Sequence, residues 1–102
     1  MSEASTPPVE QFRRTLAAQM PFLERTYHVQ TLGIFGSYIR NEQGPESDLD
    51  VLVTFSQTPS LLQFVSLENY LSDLLGVKVD LVMREALKPH LGARILEEVM
   101  SI

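Results

Sequence analysis

The chain has 102 residues and a net charge of −5, from 8 Lys and Arg against 13 Asp and Glu. That length predicts one domain with one core and little room for a separate substrate domain. The acidic balance argues against a nucleic-acid backbone as the main partner, because binders of that kind carry a basic patch. The absence of cysteine excludes disulfides and Cys-based zinc sites, and no apolar run approaches the ~20 residues of a membrane span.

Residues 1–8 are small and polar and read as a flexible N-terminus. They contain no basic n-region and no apolar h-region, which predicts a cytoplasmic protein. Thr6 followed by Pro7 and Pro8 has the pattern of an N-cap and first helical turn. Val9, Phe12, Leu16 and Met20 then recur at three- and four-residue spacing, the mark of one apolar helical face. Pro21 is expected to end or kink that helix at Met20.

Val29 to Phe35 reads as the first strand, with His28 at its entrance as a surface residue. Gly36-Ser37 then opens a short helix that includes Arg40, and a polar loop from Asn41 to Ser47 holds the breaker Gly44-Pro45. A glycine that ends a strand lets a ligand approach the backbone, and the free N–H groups of a helix start attract anions. The chain has no Walker A pattern, so any phosphates are held by a different arrangement. Arg40 is open to two readings: an ordinary solvated charge, or an electrostatic partner for phosphates or for nearby carboxylates.

Asp48 to Phe55 reads as the second strand. Leu49, Val51, Val53 and Phe55 fall on one face and Asp48 and Asp50 on the other, about 6.5–7 Å apart along the chain. Two carboxylates at that range raise one another's pKa unless a cation neutralises them, and such a pair of hard oxygen ligands suits Mg²⁺. A long helix to about Leu75 follows, with Leu61, Phe64, Val65, Leu71, Leu74 and Leu75 expected on its buried side and Gly76 as its C-terminal cap. The third strand, Val77 to Met83, repeats the alternation and places Asp80 away from its more apolar face. Pro89 opens a last helix with Leu91, Ile95, Leu96 and Val99 as apolar positions and Glu97 and Glu98 in solvent.

The order α-β-α-β-α-β-α predicts an α/β (α+β) fold with a small mixed three-stranded sheet. Strands one and two are expected to pair antiparallel, and strands two and three parallel across a helical crossover. Helices should lie mainly on one face of the sheet, and the three aspartates on the other. A chain this apolar and this short is expected to leave helical surface exposed, which points to a homo- or hetero-oligomer.

Gly36-Ser37, Arg40, Ser47, Asp48 and Asp50 resemble the GSxxR…SDxD signature of the minimal nucleotidyltransferases, a branch of the polymerase-β-type superfamily. The spacing fits without a gap, and Asp80 stands where that family has a third carboxylate on a later strand. Asn41 departs from the pattern, since many members have Gly after the Arg. The resemblance implies one nucleotidyltransferase domain over 9–102. It implies Asp48, Asp50 and Asp80 as metal-binding and catalytic residues, with Asp80 as base, and Gly36, Ser37, Arg40 and Ser47 at the nucleotide. It further implies two Mg²⁺ ions, ATP as substrate, and AMP transfer to a tyrosine of a small helical HEPN-family toxin encoded next door. Two other readings stay open: a non-catalytic antitoxin that neutralises its partner by contact, and a small-molecule nucleotidyltransferase. The lack of an acceptor-binding domain speaks against the second.

Overall fold

The computed structural model describes residues 8–102. The expected frayed start and the Thr6-Pro7 helix cap fall outside them. Helix α1 spans Pro8–Tyr27, strand β1 Val29–Phe35, helix α2 Ser37–Arg40, strand β2 Leu49–Phe55, helix α3 Leu61–Leu75 and strand β3 Val79–Met83. A single 3-10 turn, Arg84–Ala86, leads to helix α4, Pro89–Glu98, and a two-residue strand β4, Met100–Ser101.

The sheet order is β3-β2-β1-β4. As expected, β1 pairs with β2 antiparallel and β2 with β3 parallel. The fourth strand was not expected, because two residues are too few to show alternation; β4 lies antiparallel on the outer edge of β1, Gly33 opposite Ser101 and Ile34 opposite Met100.

Alternation along the strands divides the sheet into two faces. Leu32 and Ile34 of β1, Leu49, Val51 and Val53 of β2, and Val79 and Leu81 of β3 form the core with Leu16 and Leu23 of α1 and Leu67 and Leu71 of α3. Burying side chains of this kind contributes about 1.5–3 kcal/mol each, so this one layer fixes strand register, and with it the side on which Asp50 and Asp80 must emerge. On the opposite face Ile95 of α4 packs on Phe35 and Leu52, joined by Val82, Leu87 and Val99. Helices α1 and α3 therefore lie on one face and α4 covers part of the other.

Three local expectations need correction. Helix α1 does not stop at Met20 but runs through Pro21 to Tyr27. A proline inside a helix removes a hydrogen bond and costs about 3 kcal/mol, yet tertiary packing holds the last turns in place. Leu23 is fully buried, Phe22 and Tyr27 pack around Tyr70 at ring-centroid distances of 5.2 and 6.0 Å, and the Tyr70 hydroxyl donates to Gln19 Oε1 at 2.8 Å. In α3 the buried stripe is Leu67 and Leu71, flanked by Phe64, Leu74 and Leu75. Leu61 and Val65, expected inside, are 78% and 41% exposed, because Val65 lies off that stripe and the first turn carries Leu61 into solvent. The two ends of α3 are nonetheless well specified: Ser60 and Gln63 form a reciprocal capping box, and Gly76 closes the helix as expected. Third, Leu91 and Leu96 of α4 are exposed, leaving Ile95 as its main buried apolar residue.

Candidate nucleotide and metal site

Asp50 is the centre of the site. It sits on β2 opposite Phe35 of β1 and opposite Asp80 of β3. Asp48 directly precedes β2, and Leu49 N–H donates to the Lys78 carbonyl at 2.8 Å, which ties the start of β2 to the entry of β3. Sheet register thus brings Asp50 and Asp80 side by side on the face away from the main core, with Asp48 two residues up the same face. Asp80 is exposed, while Asp48 and Asp50 are half-buried.

Their proximity is visible in the electrostatics. The Asp50 carboxyl is pushed up from 3.8 to about 6, first by burial and then by the charges of Asp80 and Asp48; Arg40 offsets part of this and Glu98 adds to it. Among the described residues no group of three His, Cys, Asp or Glu side chains forms a ready-made metal cage. A hard cation such as Mg²⁺ takes one or two carboxylates and completes its shell with water and substrate oxygens. Asp50 and its neighbour Asp80 are hard oxygen donors of the type such a cation takes.

Gly36 joins β1 to α2 and lies directly beside Asp50. Its backbone has φ 86° and ψ −152°, a region that essentially only glycine enters. A β-carbon there would also collide with Asp50 Oδ2. The glycine is therefore required by the carboxylate beside it as well as by any phosphate approaching the backbone. At the far end of α2, Asn41 takes the left-handed conformation at φ 59°, ψ 38°, which Asn tolerates better than most residues. This accounts for Asn where the resembling family often has Gly. Ser47 accepts a hydrogen bond from Gly44 N–H at 2.8 Å, so its oxygen shapes the loop that delivers Asp48.

Helix α4 supplies what sequence reading missed. A cleft of about 370 Å³ lies between the Gly36 turn and α4, with Phe35, Leu91 and Ile95 as an apolar wall and Arg40, Asp50, Arg94 and Glu98 as polar groups. Glu98, expected in solvent, accepts a hydrogen bond from Gly36 N–H at 2.8 Å and pairs with Arg40 Nη1 at 3.1 Å. The Gly36 bond, followed by Arg40, holds the Glu98 carboxyl below its ordinary value. Arg40 also pairs with Glu42 at 3.0 Å, so it is not a free solvated charge; it makes no ion pair with the aspartates but acts on Asp50 through its charge. No local pattern flags Glu98: its partners are 62 and 58 residues away in sequence. A second hollow of about 280 Å³, between Thr54, Arg84, Leu96 and Ile102, takes in none of the candidate residues. No helix of the described residues is long and apolar enough to cross a membrane.

The nucleotidyltransferase domain model matches residues 14–101. A protein adenylyltransferase of Thermococcus cleftensis, MntA, is 43% identical over 94 residues, covering 92% of this chain and 95% of that protein. A Methanocaldococcus jannaschii protein, provisionally named a protein adenylyltransferase, is 44% identical over 95 residues, covering 92% and 97%. A solved structure provisionally described as a minimal nucleotidyltransferase superposes with a TM-score of 0.75 at 32% identity, covering 96% of this chain and 98% of that one. A tri-AMPylated HEPN toxin of Shewanella oneidensis in complex with its MNT antitoxin gives a TM-score of 0.65 at 18% identity, covering 90% and 69%, a likeness of fold alone. The chain belongs to the nucleotidyltransferase domain family, in its minimal branch.

Proposed function

We propose that the protein transfers AMP from Mg²⁺–ATP to a tyrosine hydroxyl of a partner protein, and that the partner is a helical HEPN-family toxin which this transfer silences. The observation that carries the reading is the placement of Asp50 against Gly36 and opposite Asp80, with Asp48 on the same open face. In this reading Asp48 and Asp50, with Asp80 beside them, hold one or two Mg²⁺, which would neutralise charge on the phosphate oxygens. Gly36 N–H, Ser37, Ser47 and Arg40 face the phosphates. Asp80, the most exposed of the three carboxylates, takes the proton of the acceptor hydroxyl as its oxygen bonds to the α-phosphorus. The bond from that phosphorus to the bridging oxygen breaks, and pyrophosphate leaves with the electron pair.

A protein acceptor is supported by the names of the relatives and by the exposure of Asp80, which a large substrate can reach. Incubation with α-labelled or γ-labelled ATP, Mg²⁺ and the product of the adjacent gene tests the reaction. Label should reach the partner from the α-phosphate only. No transfer from either position, with the partner still neutralised, would replace this reading with inhibition by contact.

A further inference from the structure

We propose that Glu98 is a built-in competitor for the nucleotide: its carboxylate fills the cradle made by Gly36 N–H and Arg40, and has to swing out before a triphosphate can enter. The proposal rests on the phosphate reading of Gly36 and Arg40 given above, and adds to it a group that the sequence pattern does not contain.

The support is geometric. Glu98 Oε2 takes the Gly36 N–H at 2.8 Å, and Arg40 Nη1 reaches both carboxylate oxygens at 3.1 Å. An N–H and a guanidinium shared by one two-oxygen anion is the chemistry by which a phosphoryl group is held. A carboxylate here satisfies those donors at the cost of sitting close to Asp50, which lines the same cleft and carries like charge. The backbone that presents Glu98 is anchored. It is the last residue of α4, and β4 follows on the edge of β1, with Ile102 N–H donating to the Leu32 carbonyl at 3.0 Å. Gly33 permits this seat, since a β-carbon on it would come within 2.5 Å of Val99 Cγ2 and 3.3 Å of the Met100 carbonyl oxygen. The Glu98 side chain is 26% exposed, so rotation about its own bonds releases the cradle without unfolding α4 or β4. A nucleotide that must displace it binds with an apparent affinity reduced by the fraction of molecules in the closed state.

The test is calorimetric titration of the intact protein with Mg²⁺ and a non-hydrolysable ATP analogue. Glu98→Gln keeps the shape and removes the charge, and Glu98→Ala removes both oxygens. Because hydrogen bonds to charged groups are strong, affinity should rise on the order of ten-fold for the alanine variant and less for the glutamine variant. Glu97→Gln is the control for net charge, because Glu97 is exposed and does not line the cleft; it should leave affinity nearly unchanged. Equal gains in Glu97→Gln and Glu98→Gln would reduce the effect to overall charge and overturn the proposal. Unchanged or weaker binding in both Glu98 variants would overturn it too, by making Glu98 inert or a ligand-holding group. Arg40→Ala made on the Glu98→Ala background, where no carboxylate competes, tests the phosphate reading separately: weaker binding than Glu98→Ala alone supports it, and no effect overturns it together with the competitor. If Arg40→Ala weakens binding there while neither Glu98 variant strengthens it, the phosphate reading stands and the competitor falls.

Discussion

Replacing Asp50 with Asn should make the protein more stable at neutral pH. The Asp50 carboxyl loses its proton near pH 3.8 in the unfolded chain and near pH 6 in the folded one. Well below pH 3.8 both states hold the proton and the group costs nothing. As pH rises through 4 to 6 the unfolded chain ionises first, so the folded state loses stability, and above 6 the full penalty is present. A rise from 3.8 to about 6 corresponds to at most about 3 kcal/mol at about 1.4 kcal/mol per pH unit. Asp50 is only half-buried, so water screens part of this, and about 1–2 kcal/mol is the expected gain at pH 7.5. For a domain of this size each kcal/mol raises Tm by about 4–8 °C. Urea denaturation of both proteins in EDTA at pH 7.5 and pH 4 gives the readout. The difference between variants cancels the opposite slopes of Glu98 and Glu10, whose carboxyls are held below their ordinary value. The gap should be present at pH 7.5, nearly absent at pH 4, and narrowed at pH 7.5 by Mg²⁺, which would bind the wild-type carboxylates. An Asn variant no more stable than wild type at pH 7.5, or a gap of equal size at both pH values, would refute the reasoning.

Other substitutions test the scaffold. Gly36→Ala puts a β-carbon into Asp50 at a backbone conformation reserved for glycine, and should destabilise by about 1–3 kcal/mol or more as read by thermal melting. Leu71→Ala opens a cavity in the core under the sheet and should cost about 2–5 kcal/mol in denaturant titration. Pro21→Ala should stabilise by up to about 3 kcal/mol, because Pro21 is exposed inside a helix that continues past it; a loss of stability would mean that the restriction proline puts on the unfolded chain outweighs its cost in the helix.

Much of this architecture could be read from residue pattern alone, for a physical reason. One face of β2 and β3 is buried under α1 and α3, so the register that turns Asp48, Asp50 and Asp80 to the other face is written into Leu49, Val51, Val53, Val79 and Leu81. The Gly36-Ser37 turn and the spacing to Asp48 were equally legible, being local. What was not legible depends on distant partners. Helix α1 passes Pro21 because Tyr70 and the core hold its last turns, and β4 exists because Gly33 leaves room for Val99 and Met100. Glu98 reads as a solvated helix-end charge until α4 is folded back across the aspartate face. Leu61 and Val65 fit a helical period but fell on its open side, where period alone does not tell how far the sheet extends.

The central claim is that the three carboxylates form a transfer site, and Asp80→Asn tests it most directly. Intact-mass spectrometry of the partner after incubation with ATP and Mg²⁺ should show one or more added AMP units with the wild-type protein. With Asp80→Asn the rate should fall by about 10²–10⁴-fold, the usual cost of losing a general base, while ATP affinity stays within about an order of magnitude. Transfer at the wild-type rate by the Asn variant, or no mass shift with wild-type protein under any metal or nucleotide tried, would contradict the account.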